Sequence, residues 1–135
     1  MIGVVVATHG EFGACLLNTL RMIFGETEGI AAVALDSEDS MESFEEKLKA
    51  ALGRVDPQGS GALVLVDMLG GTPFNVAIRM APTANLRVVT GVNLPMVIKA
   101  ISHREEPDLD AFTREVQDAT RESIVTSVEL LKKPR

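Results

Sequence analysis

Apolar positions along this chain change period as they go, and the changes mark its elements. From Gly3 to Ala7 a β-branched run reads as a strand, followed by a turn at Thr8-His9-Gly10. Phe12, Cys15, Leu16, Thr19, Leu20, Ile23 and Phe24 then fall three and four apart, drawing one helical stripe that Gly25 ends. Ile30 to Leu35 reads as a second strand. Asp39-Ser40-Met41-Glu42 has the form of a capping box, and its helix carries a stripe at Met41, Phe44, Leu48, Ala51 and Leu52. After a turn-rich connector from Gly53 to Gly61, Ala62 to Val66 is continuously apolar, as a strand buried on both faces should be, and delivers Asp67 at its carboxyl end. A third helix runs to about Met80, with Thr72 placed to cap it and Pro73 to start it. Leu86 to Thr90 is the fourth strand. Asn93 and Pro95 repeat the cap logic for a helix ending near His103, and Asp108 opens a last amphipathic helix with Phe112, Val116 and Ala119 inward. Ile124 to Leu131 fits helical and strand periods equally well.

Strands alternating with helices predict βαβ units, and hence an α/β fold: a mainly parallel sheet of four strands flanked by helices on both faces. A length of 135 residues is that of one domain, 1–135, with too little chain for a second core. Apolar residues at 46% and charged residues at 24% describe an ordinary globular chain, not a disordered one. The net charge of -6, with no basic cluster beyond Lys132-Lys133-Pro134-Arg135, lacks a nucleic-acid footprint and suits a basic protein partner. A single cysteine forms no intramolecular disulfide, and Met1 leads into an apolar run with no basic segment before it, so the expected compartment is the cytoplasm. No apolar run approaches the roughly 20 residues that cross a bilayer.

In an open parallel sheet a ligand lies beyond the carboxyl ends of the strands, where strand order reverses. The unusual polar residues gather there: Thr8-His9-Gly10 after the first strand, Asp67 and Gly70-Gly71-Thr72 after the third, Gly91-Val92-Asn93 after the fourth. If Asp67 accepts a hydrogen bond from one ring nitrogen of His9, it fixes the tautomer and leaves the other nitrogen free as a nucleophile. The amides of Gly70, Gly71 and Thr72 offer an oxyanion or phosphate cradle. Each feature also has a plain structural reading, as a helix-capping histidine, an acid at a helix amino end and a tight turn. Phosphate-loop, dinucleotide and magnesium-type acidic motifs are missing, which argues against an ATP-dependent kinase. Two histidines and one cysteine, far apart, predict no metal site, and no cofactor is implied. Cys15 reads as a buried, inert thiol on the apolar face of its helix, and His103 as a surface residue at a helix carboxyl end.

At Ala7-Thr8-His9-Gly10, Asp67-x-x-Gly70-Gly71-Thr72-Pro73-Phe74-Asn75 and Gly91-Val92-Asn93-Leu94-Pro95-Met96, the chain resembles the IIA (EIIA) component of mannose-family (mannose/fructose/sorbose) phosphotransferase systems. The likeness covers nearly the whole chain. It implies a phosphohistidine relay: phospho-HPr gives a phosphoryl group to His9, which passes it to a histidine of an EIIB component and, through it, to sugar entering by the membrane EIIC/EIID complex. It implies a doubly wound sheet and a homodimer that exchanges a carboxyl-terminal antiparallel edge strand, a place for the ambiguous residues 124–131. Carried over residue by residue, His9 is the phosphorylated nucleophile acting through Nε2, Asp67 orients its ring, and Gly70, Gly71 and Thr72 hold the phosphoryl oxygens. Many relatives have serine where Thr72 stands, so a hydroxyl is kept. Thr8, Leu69, Asn93 and Met96 are the candidates for docking a partner, while Phe12, also beside the crevice, is assigned to the core.

Other readings start from the same residues. A regulatory EIIA-type protein would use His9 phosphorylation to signal to a partner. The phosphotransfer subunit of a dihydroxyacetone kinase system looks similar in fold and also uses a histidine after the first strand, but the Gly-Val-Asn-Leu-Pro-Met block argues against it. A receiver domain phosphorylated on Asp67 would need an acidic pair where Thr8-His9 stands. The sugar is not legible, because specificity in such systems lies in the membrane components. With no long linker before Arg135, a stand-alone subunit is expected in preference to one fused to EIIB.

Overall fold

The computed structural model describes residues 1–132; Lys133, Pro134 and Arg135 of the basic tail lie outside the described residues. The elements are β1 (Gly3–His9), α1 (Phe12–Phe24), β2 (Ile30–Leu35), α2 (Met41–Val55), β3 (Ala62–Val66), α3 (Gly71–Met80), β4 (Leu86–Thr90), α4 (Leu94–His103), α5 (Leu109–Glu122) and α6 (Ser127–Lys132). The four strands pair in parallel in the order β2-β1-β3-β4. The chain winds outward from β1 to β2, returns to β3 on the other side of β1, and moves out again to β4. Strand order therefore reverses between β1 and β3, the place where such sheets open a crevice at their carboxyl edge.

Alternation along the strands divides the core. Val4 and Val6 of β1, with Leu63 and Leu65 of β3, pack beneath Leu17 and Leu20 of α1, Val97 and Ala100 of α4, and Phe112 and Val116 of α5. Val5, Ala7, Val64 and Val66 face the other way, onto Phe44, Leu48 and Ala51 of α2 and Val76 and Ala77 of α3. Both faces of the central strands are covered, which is why those strands read as unbroken apolar runs.

Local chemistry sets the helix starts. Ser40 Oγ accepts from the Ser43 amide at 3.1 Å and Ser43 Oγ from the Ser40 amide at 2.9 Å, a reciprocal cap on α2. Asn93 Oδ1 accepts from the Met96 amide at 2.9 Å, and Asp108 Oδ1 from the Asp110 amide at 3.0 Å.

Three expectations need correction. β1 runs two residues past Ala7, because Thr8 and His9 still pair with Ala34 and Leu35 of β2. The buried side of α1 is Gly13, Leu17 and Leu20, not the stripe through Phe12 and Cys15. A Cβ at Gly13 would stand 3.1 Å from Val6 Cγ1 and Val6 O, so the helix is drawn closest to β1 at its glycine. That rotation leaves Phe12 47% exposed and the Cys15 thiol on the surface. Next, α3 starts at Gly71 with Gly70 in the cap position, so Thr72 lies inside the first turn and does not cap it. In the single chain, residues 127–132 of the segment that fitted both periods form the short separate helix α6, with no buried residue. Within one chain that segment meets no sheet edge, and local helical bonds are what its backbone finds.

Beside the carboxyl end of β2, Lys47 Nζ meets Asp39 Oδ2 at 2.6 Å, Asp36 Oδ2 at 3.1 Å and the Ala34 carbonyl at 3.2 Å, tying α2 to the strand that flanks β1. The Lys47 ammonium, with the Asp36 amide and the Ser43 hydroxyl, holds the Asp39 carboxyl down at about 2. A depressed carboxyl stabilises the fold above its unfolded value of about 3.8, and that contribution is lost as pH falls through 2. Thermal melts of Asp39→Asn should therefore show a lower Tm than wild type at pH 7, with the gap closing between pH 4 and about 2. An equal gap at both ends of that range would assign the effect to packing instead.

Candidate functional site

Parallel register aligns Ala7 with Val66, so the residues just beyond, on adjoining strands, share the reversal point at the carboxyl edge. There β1 presents His9 and β3 releases Asp67. Asp67 Oδ2 accepts two hydrogen bonds from His9, one from its backbone amide at 2.9 Å and one from ring Nδ1 at 2.8 Å, across 58 positions of sequence. A carboxylate only accepts, so Nδ1 carries the ring proton and Nε2 is left with a free lone pair. The backbone bond sets where the residue sits, and the ring bond sets which way it faces.

Asp67 responds to this pairing. Burial works to raise its pKa, but the amide and ring of His9 prevail and hold the carboxyl below the usual range. Its other oxygen, Oδ1, is buried without a hydrogen-bond partner, so the negative charge is quenched only on the side facing His9. Such a carboxylate is well suited to balance positive charge developing on the imidazole.

The free edge of the ring meets the start of α3. A Cβ at Gly71 would come within 3.1 Å of His9 Cε1 and 3.5 Å of Nε2, and Gly71 has φ +80. Both facts demand glycine: the ring edge rests on bare backbone, in a conformation that L side chains avoid. Gly70, also at positive φ, gives α3 no side-chain cap. Nε2 thus lies beside a helix amino end with uncommitted amides and a positive dipole end, a natural seat for an anion. Thr72 follows Gly71 in the first turn of α3. A nucleophilic nitrogen of fixed tautomer beside an anion seat is suited to group transfer of a phosphoryl or acyl unit.

Among the residues expected to dock a partner, the structure separates two kinds. Leu69 is 72% exposed at the tip of the β3–α3 turn, beside an exposed Met68. Thr8 and Met96 correct the expectation. Thr8 is wholly buried, its hydroxyl accepting the Gly13 amide at 2.9 Å, and Met96 is 2% exposed in the core, so neither has surface to offer. Asn93 is half-buried and spends its side-chain oxygen on capping α4. Phe12, assigned to the core, is the residue that faces solvent. His103 stands on α4 beside Lys99 Nζ at 3.1 Å, with no part in this cluster. Two contributors carried no sequence signal of their own: the Lys47 clamp behind β2 and the Gly13 approach behind Thr8. Only pairing across elements exposes either.

Two substitutions test the geometry without any reaction. Gly71→Ala should strain the turn by about 1–2 kcal/mol and press on the His9 ring, shifting its 15N signals. Asp67→Ala should release Nδ1 and let the Nε2–H tautomer take over in the 15N spectrum; an unchanged tautomer would show that Asp67 does not set it.

Comparison with known proteins agrees with the geometry. Residues 3–117 match the family described as "PTS system fructose IIA component". The chain is 32% identical over 134 residues to the PTS system fructose-specific EIIA component of Bacillus subtilis, covering 98% of this chain and 91% of that one. It is 33% identical to the PTS system mannose-specific EIIAB component of Escherichia coli, where 91% of this chain spans 38% of the longer protein. The solved mannose/sorbose-specific IIA subunit from Enterococcus faecalis superposes with a TM-score of 0.85 at 30% identity, covering 99% of this chain and 97% of that one. The chain belongs to the mannose family of phosphotransferase-system EIIA components.

Proposed function

We propose that this EIIA component is a phosphoryl carrier that takes a phosphoryl group from phospho-HPr onto His9 Nε2 and passes it to a histidine of an EIIB component. The observation that carries this reading is the pair of hydrogen bonds from the His9 amide and ring Nδ1 to Asp67 Oδ2, which leaves Nε2 unprotonated beside the open end of α3. In the forward step the Nε2 lone pair attacks phosphorus, the donor's N–P bond breaks, and its electron pair leaves with the donor imidazole. No proton has to leave Nε2 first. Nδ1–H stays on Asp67, whose carboxylate balances the charge the ring acquires, while the amides of Gly70, Gly71 and Thr72 and the Thr72 hydroxyl receive the phosphoryl oxygens. Transfer to EIIB is the same step reversed in direction. Donor and acceptor are both imidazoles, so positioning and charge stabilisation suffice, and the relay uses neither metal nor cofactor.

The site is open, which suits a partner protein. His9 exposes about half its side chain, with Phe12, Met68 and Leu69 as apolar surface near it. Exposed acids Glu11 and Glu38 stand on neighbouring loops. Apolar contact with an acidic rim fits a basic carrier that docks briefly, HPr on one visit and EIIB on the next. Among the described residues no helix is long and apolar enough to cross a membrane. In this reading the chain works in the cytoplasm and reaches the EIIC/EIID complex only through EIIB. The homodimer belongs to it as well: β4 is a sheet edge, and Ile124, Val125, Val128, Leu130 and Leu131 are exposed apolar residues that a second copy would cover.

Incubation with phosphoenolpyruvate, enzyme I and HPr should add one acid-labile, alkali-stable phosphate by intact mass. His9→Ala should abolish it and His103→Ala leave it intact; a stable adduct in His9→Ala would overturn the assignment. Sedimentation should give a dimer for the whole chain and a monomer for a chain ending at Ser123.

A further inference from the structure

We infer that Thr8 is a positioning residue for the transfer step: its buried hydroxyl, by holding the Gly13 amide, locks the His9 backbone where Asp67 can take both of its hydrogen bonds. This rests on the phosphoryl-carrier reading for its consequence and on geometry alone for its cause.

Thr8 is the last buried residue of β1, and its Oγ1 accepts the Gly13 N–H at 2.9 Å. That bond closes a loop around His9, Gly10, Glu11 and Phe12, the whole connection from strand to helix. The other bond at the helix end is the helical one from the Cys15 amide to the Glu11 carbonyl at 2.9 Å. Glu11, in the cap position of α1, makes no side-chain cap bond, so the amino end of α1 is capped from β1 by Thr8. On the opposite side the Gly10 amide donates to the Leu35 carbonyl of β2 at 2.9 Å. His9 is thus held between a tether to α1 before it and a tether to β2 after it. Both of its bonds end on one oxygen, Asp67 Oδ2, and tolerate little rotation of the peptide that carries them.

The tether is also hard to replace. Gly13 is buried, and a Cβ placed there would stand 3.1 Å from Val6 and 3.3 Å from Thr8 Oγ1, so helix and strand are in tight contact around the amide. Loss of the acceptor leaves a buried donor unpaired, and the start of α1 must turn outward to find solvent. His9 lies on that path. A serine at this position keeps the acceptor, whereas valine keeps the shape and removes it.

The test compares Thr8→Val and Thr8→Ser with wild type, by 15N NMR of the His9 ring without any phosphoryl donor and by initial phosphorylation rate from phospho-HPr per folded molecule. Thr8→Val should lose part of the Nδ1–H tautomer and slow phosphorylation by about tenfold, in line with sub-ångström misplacement of a nucleophile. Thr8→Ser should recover both to within about twofold. If Thr8→Val does not fold, Thr8→Ala, which is smaller, takes its place in the same comparison. A variant without the hydroxyl that melts earlier yet keeps the wild-type tautomer and rate would overturn the proposal, and so would failure of Thr8→Ser to restore them. Should wild type itself accept no phosphoryl group, the relay reading fails while the ring spectra still decide the role of Thr8.

Discussion

One carboxylate oxygen joins the two central strands where the order of the sheet reverses. Asp67 Oδ2 receives the backbone amide and the ring of His9, so a single atom fixes both the position and the orientation of the imidazole. This bond spans α1, β2, α2 and β3 in sequence, and exists only once β1 and β3 lie side by side. The site is therefore a product of the fold as a whole. The parallel register of β1 and β3 is the constraint on which the tautomer, the ring contact with Gly71 and the exposed Nε2 all depend.

Much of this was legible in the sequence, for physical reasons that differ by element. β2, β3 and β4 begin and end at the residues the apolar runs predict, because strands covered on one or both faces must be apolar and polar or glycine residues punctuate them. His9, Asp67 and the Gly70-Gly71 turn were expected together from topology, and the structure brings them to one sheet edge. α1 was misjudged for an instructive reason. Hydrophobic periodicity credits Phe12 and Cys15 and gives nothing to Gly13, yet the glycine is where helix and strand come closest. The same blindness exchanged Phe12 and Met96: the aromatic ring is on the surface and the thioether inside. Thr72 looked like a cap by residue type, but the helix begins one residue earlier, at backbone no side chain could occupy.

Charge around the site is arranged in two registers. Close in, Asp67 has one oxygen committed to His9 and one buried without a partner. Further out, Lys47 neutralises Asp36 and Asp39 and tightens the end of β2 behind Gly10, while exposed Glu11 and Glu38 keep the rim acidic. The inner arrangement acts on the imidazole and the outer one on whatever approaches it, and the two share no residue.

The seat beside Nε2 is built largely from main chain, at two glycines that present no side chain to the ring. Peptide groups do not mutate. Substitutions on the surrounding loops can accumulate without altering the backbone amides beside the His9 ring.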